Sequence, residues 1–110
     1  MIENKVKAKW QKKEVVVNSF LSIPNTFTAE IMSEQGYDAL TIDYQHGMIG
    51  FSDLFKMLQS IRNSGVTPIC RVSGLDHAVI SKVISQLLPY VVNTLHTAFV
   101  VVWWIIYLVC

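Results

Sequence analysis

The sequence predicts an α/β protein built on a parallel sheet, and three observations carry that expectation. Short apolar, β-branched runs recur along the chain: Val15 to Leu21, Ala39 to Ile42 and Val66 to Val72. Between and after them the apolar residues change to a helical period, with Leu54, Met57, Leu58 and Ile61 in one segment and Val79, Ile80, Val83 and Ile84 in another. Start and stop residues stand at the boundaries, Asn25 or Thr26, Ser52 and Asp76 as helix caps, Gly36 and Gly65 as stops. Strand–helix repeats at a spacing of roughly 25 residues mean right-handed βαβ units.

Each element has its own justification. Residues 1–14 (MIENKVKAKWQKKE) can form a helix with Val6 and Trp10 one turn apart, and are expected to be a solvated helix or frayed leader. Their lysines lack the aromatic interleaving of a nucleic-acid platform, so no nucleic-acid partner is expected. The first strand, Val15 to Leu21, runs into Ser22 to Asn25, where Pro24 breaks the ladder. A helix capped by Asn25 or Thr26 continues to Gln35 and Gly36 ends it. The second strand closes at Ile42. After Gly47 a loop leads to Ser52, the expected cap of a helix reaching about Asn63. The third strand, Val66 to Val72, is interrupted only by Pro68, and Asp76 opens the last helix.

Charge and hydropathy divide the 110 residues unevenly. Net charge is +1, yet five of the nine Lys and Arg lie in residues 1–13 and nothing after Lys82 is charged. A net charge this small excludes a global field that would recruit nucleic acid or an anionic surface. Hydrophobic residues make up 52%, concentrated in the tail, where Phe99 to Cys110 (FVVVWWIIYLVC) is one apolar run. That run is shorter than the ~18 residues that indicate a spanning helix. Residues 1–84 are therefore read as the βα part, and 85–110 as an uncharged apolar tail. The tail is open to three readings: a membrane anchor, a buried strand of an incomplete domain, or a truncated or slipped reading frame. Cys70 and Cys110 are too few for a disulfide framework and suit a reducing compartment. No apolar run precedes Val15, so no secretory signal is expected, and the expected location is the cytoplasm.

Chemistry concentrates at the strand ends. Ser22 follows the first strand, Asp43 and His46 the second, and Arg71 stands near the end of the third. Ligands of α/β folds bind at the carboxyl ends of parallel strands, so these groups converge if the strands are neighbours. One reading is a site for a carboxylate-bearing substrate, with Arg71 for the salt bridge, His46 for proton transfer and Asp43 to orient them. The other is an Arg71–Asp43 ion pair closing the sheet edge, with His46 bonded to a loop carbonyl. His77 and His96 have no metal-ligand spacing with His46. Cys70 reads as a buried inert thiol, since no base or helix N-terminus adjoins it in sequence. The five glycines are dispersed, and no phosphate loop is present.

Several stretches together resemble the HpcH/HpaI aldolase/citrate lyase family, in its 4-hydroxy-2-oxo-acid aldolase branch, which includes 2,4-dihydroxyhept-2-ene-1,7-dioate aldolase. They are Phe20-Leu21-Ser22-Ile23-Pro24, Ala29-Glu30-Ile31 and Gly36-Tyr37-Asp38, then Ile42-Asp43-Tyr44-Gln45-His46-Gly47 and Gly65-Val66-Thr67-Pro68-Ile69-Cys70-Arg71-Val72. The resemblance runs over about residues 4 to 84. It implies a (β/α)8 barrel, of which this chain supplies the first three or so βα units. It also implies a metal-dependent carbon–carbon lyase that cleaves a 4-hydroxy-2-oxo acid reversibly to pyruvate and an aldehyde, with Mg, Mn or Co stabilising the pyruvate enolate. By the same resemblance His46 is the general base, Arg71 binds the pyruvyl group and Asp43 is a supporting acid. A small oxo-acid substrate and assembly with copies of itself are further implications.

The chain departs from the family pattern in two places. Gln45 stands where many members have Glu. Ser85 stands where the family has the Asp that partners the base, and Pro89 to Thr94 only faintly resemble the next strand. The family's metal carboxylates lie further on, so this chain is expected to hold no metal and to be inactive alone.

Overall fold

Ala39–Asp43 form the central strand, β2, and all five of its residues are buried. Such a strand needs neighbours on both sides and cover on both faces. In the computed structural model, which describes residues 4–87, β1 (Asn18–Leu21) and β3 (Thr67–Arg71) flank it as parallel partners in the order β1-β2-β3. The register sets Leu21 beside Ile42 and Ile42 beside Cys70, and sets Phe20 beside Thr41 and Thr41 beside Ile69. Side chains alternate along a strand, so these two rows lie on opposite faces.

The row with Leu21 and Ile42 faces the helices. Leu21, Leu40 and Ile42 join Ala29 of α2 (Thr26–Ser33), Leu54, Met57, Leu58 and Ile61 of α3 (Phe51–Ile61) and Val83 of α4 (His77–Leu87) in one core. The helical stripe expected over Leu54 to Ile61 is therefore the face that α3 buries. Burying one such aliphatic side chain stabilises by roughly 1.5–3 kcal/mol relative to exposure, and α3 contributes four.

The element boundaries show local chemistry at work. Asn25 caps α2, its Oδ1 accepting from the Thr28 N–H at 2.9 Å. Asp76 Oδ1 accepts from the Ala78 N–H at 2.7 Å at the start of α4. α3 begins earlier than expected: its cap is Gly50, not Ser52. Asp53 explains the shift, because its carboxylate accepts from the Gly50 N–H at 3.2 Å and lies in the first turn, where the helix dipole favours an anion. β1 begins at Asn18 and not at Val15. Val15 to Val17 only approach the sheet: the Val17 N–H donates to the Asp38 carboxylate, its carbonyl accepts from Asp38 and Ala39, and Val15 is 80% exposed.

The basic head is not a frayed leader. Lys5–Gln11 form α1, Val6 is completely buried, and Lys9 Nζ lies 2.7 Å from Asp38 Oδ1. Asp38 precedes β2, and Lys5 approaches Gly65 just before β3, so α1 covers the amino ends of the strands. Trp10 does not share Val6's burial and is 48% exposed. α4 continues through Ser85 to Leu87; the rest of the expected tail, 88–110, lies outside the described residues. Among the described residues no helix is long and apolar enough to cross a membrane.

Candidate active site at the carboxyl ends of the strands

Asp43 is the last residue of β2, Arg71 the last of β3, and the register pairs them. Arg71 Nε donates to Asp43 Oδ1 at 2.9 Å, while Nη2 donates to Oδ2. This is the two-point guanidinium–carboxylate geometry that gives such pairs their directionality. Oδ1 also accepts from the backbone N–H of His46 at 3.0 Å. The loop continues the closure, with the Gly47 N–H donating to the Asp43 carbonyl at 3.0 Å and the Met48 N–H to the Ser22 carbonyl at 3.3 Å. Gly47 is required by space: a Cβ there would lie 2.3 Å from the Asp43 carbonyl oxygen and 3.1 Å from that of Ser22.

The electrostatics follow from these contacts. Arg71 holds the Asp43 carboxyl below its ordinary range, against the opposing effect of burial, and the His46 N–H adds to the lowering. Asp43 in turn raises the Arg71 guanidinium above its usual value. Both groups stay charged through the neutral range, and Asp43 serves as a fixed acceptor. Burial, helped by the negative charge of Asp43, pushes the Cys70 thiol up to about 12, which makes it a poor nucleophile. Cys70 lies on the helix-facing row, as expected of an inert thiol.

The predicted site residues fall as follows. Asp43 and Arg71 are in direct contact, and His46 is anchored beside them through its backbone, with its side chain exposed. The Arg71–Asp43 ion pair of the second reading is present, and the His46 backbone N–H adds a third bond to the same carboxylate. Ser22 joins the rim through its carbonyl. His77 is exposed at the start of α4, and His96 lies outside the described residues. Ser85 turns its hydroxyl back to the Lys82 carbonyl at 2.8 Å. Sequence reasoning gave Phe20 no role in the site, only a place in the first strand and in the resembling stretch, yet its ring lies 5.2 Å from the Arg71 guanidinium, two strands away.

Among the described residues no three His, Cys, Asp or Glu side chains gather as metal ligands, and Asp43 is committed to Arg71 and His46.

A short parallel βα repeat with charged groups at its strand ends defines the class: the first units of a (β/α)8 barrel. The chain is 33% identical over 81 residues to a hydroxypyruvate/pyruvate aldolase of Rhizorhabdus wittichii, covering 74% of this chain and 32% of that protein. It is 30% identical over 84 residues to a 2-keto-3-deoxy-L-rhamnonate aldolase of Escherichia coli, covering 76% and 32%. Among solved structures, the HpcH/HpaI aldolase of Desulfitobacterium hafniense matches with a TM-score of 0.65 at 23% identity, covering 74% of this chain and 32% of that one. The citrate synthase SbnG matches with 0.67 at 27%, covering 76% and 34%. No family model matches the chain. The chain belongs to the HpcH/HpaI aldolase family. It spans about a third of the length of the curated relatives it matches.

Proposed function

We propose that the protein of which these residues form the first βα units is an aldolase. It would cleave a 4-hydroxy-2-oxo acid reversibly to pyruvate and an aldehyde. The observation that carries the proposal is the Arg71–Asp43 pair at the strand ends, set beside His46 in a chain whose relatives are named aldolases. Arg71 takes the substrate carboxylate, for which a fixed, permanently charged guanidinium is suited. His46, on the exposed rim, removes the proton of the 4-hydroxyl. The C3–C4 bond then breaks, its electron pair passing to the pyruvate enolate while the oxygen that lost its proton becomes the aldehyde carbonyl. Protonation at C3 completes pyruvate. Asp43 stays ionised and holds both partners in place.

The family resemblance assigns a divalent metal, Mg, Mn or Co, to the enolate's charge. The roles proposed for this chain's own residues are carboxylate binding and proton movement. Two further proposals accompany it. The pair of cysteines and the unpaired thiol of Cys70 suit the cytoplasm, and exposed Phe27 and Ile31 on α2 suit assembly with other barrel units or other copies.

The test is a chimaera in which residues 1–84 are followed by the remaining βα units of the hydroxypyruvate/pyruvate aldolase, assayed for pyruvate release with and without divalent metal. Metal-dependent cleavage that is lost in Arg71→Lys and His46→Ala supports the reading. Cleavage unaffected by either substitution refutes it. Pyruvate binding without turnover would point instead to an oxo-acid binding module.

A further inference from the structure

We propose that Phe20 is a positioning residue for Arg71: Asp43 fixes one edge of the guanidinium, and the Phe20 ring fixes its plane. The inference rests on the reading of Arg71 as the carboxylate binder and deepens it.

The register supplies the geometry. Phe20 pairs with Thr41, and Thr41 with Ile69. Asp43 and Arg71 lie two residues further along their strands, so all three side chains share one face. β1 and β3 are not neighbours, and the guanidinium therefore lies across β2 to come within 5.2 Å of the ring centroid. That distance is inside the range of a cation–π contact. Nε and Nη2 of Arg71 are engaged by Asp43, and Nη1 is outside that pair. With edge and plane both fixed, the N–H groups on Nη1 have a set direction in which to offer themselves to an anion. Phe20 is 52% exposed. An aromatic side chain left half in water beside a charge presents a hydrophobic wall next to a carboxylate-binding head. Pyruvate, whose C3 methyl lies one carbonyl carbon beyond its carboxylate, has the matching chemistry.

Ring stacking and simple packing predict different results, because an aliphatic residue can fill the space without offering a π face. Arg62 and Arg71 are the chain's two arginines, and exposed Arg62 at the end of α3 is an internal reference for modification by phenylglyoxal. The experiment compares the 110-residue chain with its Phe20→Leu, Phe20→Met and Phe20→Trp variants. Adducts at the two arginines are counted by peptide mass spectrometry, with and without pyruvate, and far-UV circular dichroism checks the fold. The expected result is an Arg71-to-Arg62 modification ratio that rises about threefold in the Leu and Met variants, the scale of a partly exposed cation–π contact, and is retained in the Trp variant. Pyruvate protection of Arg71 should weaken in the ring-free variants and persist with Trp. A ratio unchanged in both ring-free variants, or raised equally in Phe20→Trp, overturns the proposal. If the Leu variant loses its fold, the Met variant gives the same reading at nearly the same volume. Absence of pyruvate protection in the unsubstituted chain counts against Arg71 as carboxylate binder, while the modification ratio still decides the role of Phe20.

Discussion

One carboxylate, Asp43, is bound at two points by Arg71 and also receives the backbone N–H of His46. The strand end, the neighbouring strand and the loop are thereby tied to a single anion. This makes the site's order dependent on charge. In the folded chain Asp43 titrates below its ordinary value of 3.8, so below that value the unfolded chain takes up the proton first. The stabilisation from the pair is complete above the ordinary carboxylate range and is lost as pH falls through the lowered folded value. Asp38, lowered chiefly by Lys9, adds the same sign at the opposite end of the sheet. Urea midpoints followed by circular dichroism should therefore decline below about pH 4. Asp43→Asn should flatten part of that decline, and a midpoint indifferent to acid would contradict the pair's role.

Gly47 makes a second, steric prediction. The missing side chain lets the loop fold back against the carbonyls of Asp43 and Ser22. Both obstacles are backbone atoms, so no rotamer change can relieve the clash in Gly47→Ala. The loop must move, at a cost of about 1–3 kcal/mol, and the His46–Asp43 bond should go with it. Faster amide exchange at His46 and Met48, with the core amides of β2 little changed, is the expected signature. Gly36→Ala is a different control, since there the cost comes from a φ of +85 in open space.

How far the sequence could be read depended on whether a signal was local. The three parallel strands, the α3 stripe and the Asn25 and Asp76 caps all follow from residues within one turn of each other. The Asp43–Arg71 contact was foreseeable because neighbouring parallel strands end together. The burial of Val6 was not, because α1 docks on segments distant in sequence, as the Lys9–Asp38 bridge at the base of the sheet shows. Gly50 displaced Ser52 as the α3 cap because Asp53 supplied an acceptor, which a search for capping hydroxyls overlooks. Phe20 was hidden for a topological reason: its partner Arg71 lies two strands away.

Cys70 provides a chemical test of the same region. Its thiol is pushed up to about 12, so almost none is thiolate at neutral pH. Iodoacetamide should label Cys70 far more slowly in the native chain than in urea at the same pH, with peptide mapping to separate it from Cys110. Rapid native labelling at pH 7 would mean that the strand end is open to solvent and that the core described for this face is wrong.

The surface predicts self-association. Phe20, Ile23, Phe27 and Ile31 are exposed, and β1 and β3 are edge strands among the described residues. Unpaired parallel edges beside apolar residues template further pairing. Light scattering coupled to size exclusion should show species larger than a monomer, shifting with concentration. A monodisperse, cooperatively unfolding monomer would count against the incomplete-barrel reading. Phe27→Lys with Ile31→Glu should reduce association without altering the core, because neither side chain is buried.

The last prediction concerns activity. On the aldolase reading, the 110-residue chain alone should release no pyruvate from a 4-hydroxy-2-oxo acid above background, although His46 and Arg71 are in place. Removing one preorganised electrostatic group from an active site costs roughly 10²–10³ in rate. Among the described residues no metal-ligand cluster is present, and a serine hydroxyl at position 85 carries no charge with which to stabilise a protonated His46 ring as a carboxylate would. Arg71 keeps 23% of its side chain in solvent, where water competes for its remaining donors. These deficits act on one transition state and should multiply. Joining the remaining βα units after Ile84 should restore cleavage, and His46→Ala should then reduce kcat by at least ~10², the scale of a general base. Turnover by the 110-residue chain itself, with the same sensitivity to His46, would mean that three βα units suffice for chemistry assigned here to a whole barrel.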